Sequence, residues 1–195
     1  MITYKNFTIA DWLSIYRILA VPLLLICILF DYRELFSWFL LLSYSTDAAD
    51  GFIARTLKIS SPHGAQLDSY GDQLTFVMGA VGVLVFEFPF IMEHITFIII
   101  VFIPYILQML VALKKYGKVT AFHTYLAKVS AILQAIFILW TLFFEPVYWL
   151  FYVTIIVGLV ETVEEIILIF MYHKWVTDVK GVYWAIEDER RTKKI

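Results

Sequence analysis

The chain has 195 residues, of which 62% are hydrophobic and 16% are charged, and its formal net charge is −2. Soluble domains contain roughly 45 to 50% apolar residues, so this composition excludes an ordinary soluble domain and indicates an integral membrane protein. The lone cysteine, Cys27, excludes an intrachain disulfide, and no nucleic-acid partner is expected.

The first ten residues mix aromatic and charged side chains, which predicts a short interfacial helix lying on the bilayer. The first membrane span is predicted at about residues 11–30, where an apolar stretch is long enough to cross. Arg17 lies inside this span. A buried arginine is costly unless it faces a polar cavity or extends to the interface. We therefore expect Arg17 either to contact substrate phosphate or to reach the cytoplasmic interface.

The second predicted span, at about residues 35–57, ends in a polar segment. Asp47 and Asp50 are three residues apart, so a helix places them on one face. Gly51 and Arg55 continue the same side of the helix. Because glycine has no side chain, a phosphate or nucleotide can approach the backbone at Gly51, and Arg55 supplies charge for a second phosphate.

The third predicted span, at about residues 63–86, follows a turn. Ser61 can cap the new helix, and Pro62 fits its first turn because no amide donor is needed there. Asp68 and Asp72 are four residues apart and form one stripe on this helix. The turn should therefore bring the acidic faces of the second and third spans together.

These two faces would place four carboxylates close to one another inside a helical bundle. At low dielectric they would repel each other by several kcal/mol, so they must be protonated or neutralised by cations. Oxygen ligands suit Mg²⁺ or Mn²⁺ better than zinc, and two ions about 4 Å apart are a known arrangement for phosphoryl transfer. We predict two divalent cations, with the following candidate ligands: Asp47, Asp50, Asp68 and Asp72.

The full pattern from Asp47 to Asp72 is Asp-x2-Asp-Gly-x2-Ala-Arg-x8-Gly-x3-Asp-x3-Asp. It resembles the signature of the CDP-alcohol phosphatidyltransferase family at every fixed position. Eight specified residues over 26 positions make a specific signal, whereas the rest of the chain resembles the family only in size, apolar pattern and organisation. The resemblance implies an enzyme of phospholipid synthesis that transfers a phosphatidyl group from CDP-diacylglycerol to a small alcohol and releases CMP.

The resemblance also implies roles for individual residues. Asp47 and Asp68 would bridge both cations, and Asp50 would complete the ligands of one of them. Asp72 would bind the other cation and act as the base that accepts the proton of the acceptor hydroxyl. Contacts to the cytidine diphosphate portion would come from Gly51, Arg55 and Ser61. For Ser61, a plain helix cap is the alternative.

Two further implications concern the first span and the assembly. The placement of Arg17 is similar to that of an arginine after an Asn-Leu-Leu-Thr stretch in several family members, although Asp11 departs from the asparagine. Family members are generally homodimers, so a homodimer is expected.

Three more spans are predicted at about residues 90–113, 120–143 and 147–172, separated by breaker residues. Their buried charges are candidates for an acceptor pocket, namely Lys128, Glu161, Glu164 and Glu165. Glu161 and Glu165 are four apart and share a face, so they can pair with Lys128 or hold acceptor hydroxyls or an amine. The alternative is an internal ion pair that fixes helix register.

The basic residues indicate the orientation. The N-terminus, the motif turn, the turn at 114–118 and the tail hold twelve of the fifteen Lys and Arg residues. By the positive-inside rule, both termini and the motif turn face the cytoplasm, which places the active site near the cytoplasmic face, at the inner membrane if the source is bacterial.

We expect one domain over residues 1–195, an all-α bundle of six membrane spans. A charged cytoplasmic tail is predicted at about 174–195. Its last ten residues, 186–195, mix both charge signs, which predicts a solvated extension or a contact with anionic lipid headgroups.

Two other functions compete with this prediction. A variant within the family would transfer from CDP-choline or CDP-ethanolamine to a diacylglycerol at the same site. A cation transporter could also use intramembrane aspartates, but it would need neither Gly51 nor Arg55. The acceptor is left open among glycerol phosphate, inositol, inositol phosphate, serine and similar alcohols.

Overall fold

The computed structural model describes residues 9–57 and 62–192, and these residues are almost entirely helical. The predicted all-α class is therefore confirmed for the described chain. Two compact units are present, the first formed by Met1–Phe90 with Ile138–Pro146 and the second by Ile91–Phe137 with Val147–Ile195. The interfacial helix predicted for the first ten residues falls largely outside the described residues.

The first unit is built on three long helices, α1 (Ile9–Leu29), α2 (Arg33–Leu57) and α3 (Pro62–Phe86). Their bounds differ from the predicted ones by no more than two residues. Helix α1 packs along both α2 and α3, which also contact each other. The first unit is therefore a three-helix arrangement that brings the C-terminal half of α2 and the N-terminal half of α3 against α1.

The buried face of α1 follows helical periodicity. Arg17, Ala20, Leu24 and Cys27 are each at most 2% exposed, and their spacing of three or four residues places them on one stripe. The other faces of α1 carry exposed leucines and isoleucines, as expected for a lipid-facing helix. Cys27 is thus a small core residue, and Arg17 is part of the packed face of α1.

The remaining helices, in chain order, are α4 (Phe88–Glu93), α5 (Ile95–Tyr116), α6 (Tyr125–Phe143), α7 (Tyr148–Met171) and α8 (Val182–Thr192). In the second unit, α5 packs along α7, and α8 contacts α7. The fourth span was predicted to begin at residue 90, but α4 ends at Glu93 and α5 begins after His94. The fifth was predicted from residue 120, but residues 117–124 are irregular and the helix begins at Tyr125.

The segment between α7 and α8 is packed, which the sequence analysis did not predict. Val176 and Val179 of this segment, and Val182 at the start of α8, pack against a buried cluster in the second unit. The cluster consists of Ala112, Phe122, Leu168, Ile169 and Ala185. Val176, Val179, Val182 and Ala185 recur every third position. The solvated extension predicted for residues 186–195 stays a prediction, because the side chains of 188–195 lie outside the described residues.

Three helical segments are long and apolar enough to cross a membrane within the described residues, namely Trp12–Leu29, Ile95–Tyr116 and Tyr125–Phe143. A shorter apolar stretch covers Tyr70–Phe86. Helix α7 contains three glutamates and α2 contains two aspartates near its C-terminal end. Apolar composition alone therefore identifies fewer spans than the six that were predicted.

Candidate active site

Two carboxylates from different helices converge on Arg17. The Nη1 atom of Arg17 lies 2.5 Å from Oδ1 of Asp47 on α2, and the same nitrogen contacts Oδ1 of Asp72 on α3. One nitrogen within hydrogen-bond distance of both oxygens places them within about 5 Å of each other. The fold thus brings together two of the four aspartates that the sequence pattern singled out.

The packing of α1 against α3 holds the guanidinium in this position. Gly71 precedes Asp72 and faces the Arg17 side chain, and a Cβ atom there would lie 3.3 Å from Cζ and Nε of Arg17. The Ser14 hydroxyl lies 3.4 Å from Nη2 on the same face of α1. Gly71 was missed by the sequence analysis, although it lies inside the motif segment. Its role here is to let a planar guanidinium approach the backbone of α3.

The solvent exposure of the Arg17 side chain differs from that of its two carboxylate partners. The Arg17 side chain is 0% exposed, whereas the side chains of Asp47 and Asp72 are 42% and 46% exposed. A buried arginine requires anionic partners, because a charge removed from water is strongly destabilised unless it is paired. The two carboxylates provide this pairing and remain open on their other side to ligands from solvent.

The donor set fits the divalent cations that the sequence pattern implies. Carboxylate oxygens from neighbouring helices already converge on one positive charge, and oxygen ligands of this kind suit Mg²⁺ or Mn²⁺. Among the side chains that the structure describes, no group of three or more acidic, histidine or cysteine residues converges. Of the four predicted ligands, only Asp47 and Asp72 have side chains that the structure describes.

For the other motif residues that lie in helices, the structure describes the backbone position but not the side chain. Asp50, Gly51 and Arg55 lie in the last two turns of α2, and Asp68 lies in the second turn of α3, as the predicted helices required. Their side chains lie outside the described residues. Ser61 falls in the segment 58–61, which is also outside them.

The predicted acceptor-pocket residues lie in the second unit, on α6 and α7. Oε2 of Glu165 accepts hydrogen bonds from Nε2 of Gln108 at 2.5 Å and from Oγ1 of Thr120 at 2.7 Å. Lys128 instead places Nζ 5.7 Å from the centre of the Tyr125 ring. The structure describes no ion pair between Lys128 and either glutamate, and the role of these three residues stays a prediction.

Sequence reasoning also missed the partners of Glu165. Gln108 is 3% exposed inside an otherwise strongly apolar helix, and a lone amide in such a helix is a signal that it serves a polar partner. Its amide also donates to Thr120 Oγ1 at 3.0 Å. Gln108, Thr120 and Glu165 therefore form one connected polar cluster.

Comparison with known proteins identifies the family of the chain. Residues 7–163 match the family model described as CDP-alcohol phosphatidyltransferase, a range that includes all four aspartates. A CDP-diacylglycerol--glycerol-3-phosphate 3-phosphatidyltransferase of Cereibacter sphaeroides is 35% identical over 80 residues, which span 39% of this chain and 36% of that protein. No solved structure matches the chain. Because the family match covers most of the sequence, the chain belongs to the CDP-alcohol phosphatidyltransferase family.

Proposed function

We propose that the protein transfers a phosphatidyl group from CDP-diacylglycerol to a small alcohol and releases CMP. The observation that carries this proposal is the convergence of Asp47 and Asp72 on a single positive charge between α1, α2 and α3. Family membership supports the reaction class, and the partial exposure of both carboxylates leaves them accessible to substrates.

In this proposal, the carboxylates of the motif hold two divalent cations, Mg²⁺ or Mn²⁺, and the ligands are Asp47, Asp50, Asp68 and Asp72. When bound, such cations neutralise the diphosphate of the donor and make its phosphorus more electrophilic.

The protein's own groups then perform the remaining steps. The Asp72 carboxylate accepts the proton of the acceptor hydroxyl. The oxygen of that hydroxyl forms a bond to the phosphorus next to diacylglycerol, and the bond from this phosphorus to the bridging oxygen breaks, so that CMP leaves. Contacts to the cytidine diphosphate portion are proposed for Gly51, Arg55 and Ser61, and a phosphate contact is proposed for Arg17.

We further propose six membrane spans, formed by the six long helices, with both termini and the motif turn in the cytoplasm. The charge distribution supports this orientation, because the C-terminal end of α5 carries Lys114 and Lys115. Asp72 lies ten residues beyond Pro62, about 15 Å along α3. The site would then sit near the cytoplasmic membrane surface, where a lipid with a soluble nucleotide can reach it. A homodimer is proposed from family membership alone.

The acceptor is the least constrained part of the proposal. The relative from Cereibacter sphaeroides is named for transfer to glycerol 3-phosphate, which makes this alcohol the first to test. Contacts to the acceptor are proposed for the half-buried Glu161 and Glu165 and for the exposed Lys128.

The test uses purified full-length protein, labelled CDP-diacylglycerol and a panel of acceptors: glycerol 3-phosphate, inositol, inositol phosphate and serine. We expect one acceptor to yield CMP together with a new phospholipid identified by mass spectrometry, and Asp72→Asn to reduce the rate of both by about 10²- to 10⁴-fold. A parallel reaction with CDP-choline or CDP-ethanolamine and diacylglycerol tests the variant within the family. If product forms only in that reaction, the donor is CDP-choline or CDP-ethanolamine and not CDP-diacylglycerol. Absence of product in every reaction would overturn the proposed function.

A further inference from the structure

We infer that two loops and α8, at one end of the second unit, form a binding surface for anionic phospholipid headgroups, centred on Lys118 and Trp175. The loops are the α5–α6 connection (117–124) and the α7–α8 connection (172–181). The family match covers residues 7–163, so the second loop and α8 lie outside it. The inference goes beyond the proposed function, because it uses no residue of the motif and none of the proposed acceptor contacts.

Backbone hydrogen bonds join the two loops side by side. The backbone nitrogen of Val179 donates to the oxygen of Phe122 at 2.7 Å, and that of Asp178 donates to the oxygen of Ala121 at 3.3 Å. Phe122 is 1% exposed and belongs to the buried cluster that Val179 also contacts. Both loops are therefore held by the core of the second unit and present their exposed side chains from a fixed backbone.

The position of this surface in a membrane follows from the helices next to it. Helices α5 and α6 are both long and apolar enough to cross a membrane, so the loop that joins them lies at a membrane surface. Residues 114–124 and 173–187 contain five lysines and two acidic residues, an excess that the positive-inside rule assigns to the cytoplasmic side. Lipids on that side give the membrane a negative surface potential, which attracts basic segments.

Lys118 and Trp175 form the centre of the surface. Nζ of Lys118 lies 5.1 Å from the centre of the Trp175 ring, which is within the range of a cation–π contact. The indole nitrogen of Trp175 donates to the backbone oxygen of Val119 at 3.0 Å and so fixes the orientation of the ring. Both side chains are exposed. Lys118 therefore presents its positive charge beside an aromatic ring, a combination suited to the phosphate layer of a membrane.

Helix α8 supplies the apolar part of the surface. Val182 and Ala185 pack against the core of the second unit, whereas Tyr183, Trp184 and Ile186 are 71%, 40% and 39% exposed. A short helix with aromatic and aliphatic side chains exposed on one side is suited to lie in the headgroup layer of a membrane. Lipid phosphates are therefore expected at the lysines, and the apolar boundary of the membrane at the exposed side chains of α8.

The test measures lipid binding to the full-length protein in detergent by native mass spectrometry, without CDP-diacylglycerol or divalent cations. The probes are phosphatidylglycerol, which is anionic, and phosphatidylcholine, which is zwitterionic, with identical acyl chains. The wild-type protein should bind phosphatidylglycerol more tightly. Lys118→Met should weaken phosphatidylglycerol binding about fivefold, the effect of one basic residue near an anionic membrane surface, and should leave phosphatidylcholine binding unchanged.

Matched variants separate the proposed site from charge alone. Lys114→Met removes an exposed lysine from the last turn of α5, for which the structure describes no aromatic partner, and should weaken phosphatidylglycerol binding less than Lys118→Met. Trp175→Phe and Trp175→Leu both lose the hydrogen bond to Val119, but only the phenylalanine variant keeps a ring for Lys118. Trp175→Phe should therefore bind phosphatidylglycerol more tightly than Trp175→Leu.

Equal affinity of the wild-type protein for the two lipids, or unchanged phosphatidylglycerol binding in Lys118→Met, would overturn the inference. A loss in Lys114→Met as large as that in Lys118→Met would also overturn it, because charge alone would then explain the preference. Equal binding by Trp175→Phe and Trp175→Leu would remove the aromatic ring from the site and reject the inference as stated. The proposed function fails separately, because the lipid affinities are measured without any transfer reaction.

Discussion

Asp47 and Asp72 contact the same nitrogen atom of Arg17, although they lie 25 positions apart and on different helices. This relationship makes α1 part of the acidic site, because the positive charge that compensates two carboxylates comes from its buried stripe. It also means that substitutions at any of the three positions change the charge balance seen by the other two.

Asp72 is expected to be the base of the reaction. Replacement by Asn keeps the size of the side chain but removes its capacity to accept a proton, so CMP release should fall by about 10²- to 10⁴-fold, the usual contribution of a general base. Binding of CDP-diacylglycerol should change little. Single-turnover CMP release and equilibrium binding of the donor measure the two effects, and Asp178→Asn, an exposed position in the second unit, is the control. Normal CMP release from Asp72→Asn would remove Asp72 from this role.

Arg33 should stabilise the first unit. Its guanidinium donates to the backbone oxygens of Thr141, Leu142 and Phe144 at 2.8 to 3.0 Å and pairs with Glu87 at 2.6 Å. The Thr141 and Leu142 carbonyls lie in the last turn of α6, where carbonyls lack partners within the helix, and Phe144 directly follows that helix. Arg33→Met should lower the free energy of unfolding by about 1 to 3 kcal/mol, because several polar groups lose their partner.

Thermal unfolding in detergent measures this loss, with Arg33→Lys as the matched variant that retains the charge next to Glu87. The lysine variant should lose less stability than the methionine variant. Equal unfolding temperatures for Arg33→Met and the wild-type protein would show that these contacts contribute nothing.

Gly82 allows α2 and α3 to pack closely. A Cβ atom at this position would overlap the ring of Phe36, which is 0% exposed and contacts Phe86 with ring centres 5.4 Å apart. Gly82→Ala should therefore destabilise the protein by about 1 to 3 kcal/mol through overpacking. In Gly158→Ala the new atom meets nothing closer than 3.9 Å, so this control should be neutral or slightly stabilising. Unfolding temperatures compare the two, and equal effects would contradict the packing argument.

Glu161 and Glu165 of α7 are expected to differ in their contribution to stability. Glu165 is the shared acceptor for Gln108 and Thr120, so Glu165→Leu should cost about 1 to 3 kcal/mol of stability by leaving these donors unpaired. For Glu161 the structure describes no hydrogen bond, so Glu161→Gln should leave the unfolding temperature nearly unchanged and raise KM for the acceptor. Because an acceptor contact is proposed for both glutamates, Glu165→Leu should also raise KM for the acceptor. An unchanged unfolding temperature of Glu165→Leu would contradict its contribution to stability.

Local sequence patterns were sufficient for the helices of the first unit and for the pairing of their acidic faces. The four-residue step from Asp68 to Asp72 and the turn around Pro62 depend only on helix geometry and local breakers, and the observed bounds of α2 and α3 follow them closely. Helix periodicity and turn-forming residues involve only neighbours along the chain, so the local sequence is enough to predict the helices.

Long-range partners could not be predicted in the same way. Helix α1 is apolar on all faces, so periodicity did not show that Arg17 lies on its packed stripe. The hydrogen bond from Thr120 to Glu165 joins residues 45 positions apart, and no local pattern specifies it. The packing of the segment before α8 was not predicted for a related reason, since its regularly spaced valines become a packing signal only when the cluster around Phe122 is known.

Dependence of transfer on divalent cations tests the account most directly. CMP release from CDP-diacylglycerol should be measured in the purified wild-type protein with its acceptor, first in excess EDTA and then after Mg²⁺ or Mn²⁺ is restored. We predict that chelation stops CMP release and that either cation restores it, because the carboxylates around Asp47 and Asp72 cannot bind a diphosphate productively without added positive charge. Unimpaired transfer in excess EDTA would contradict the account.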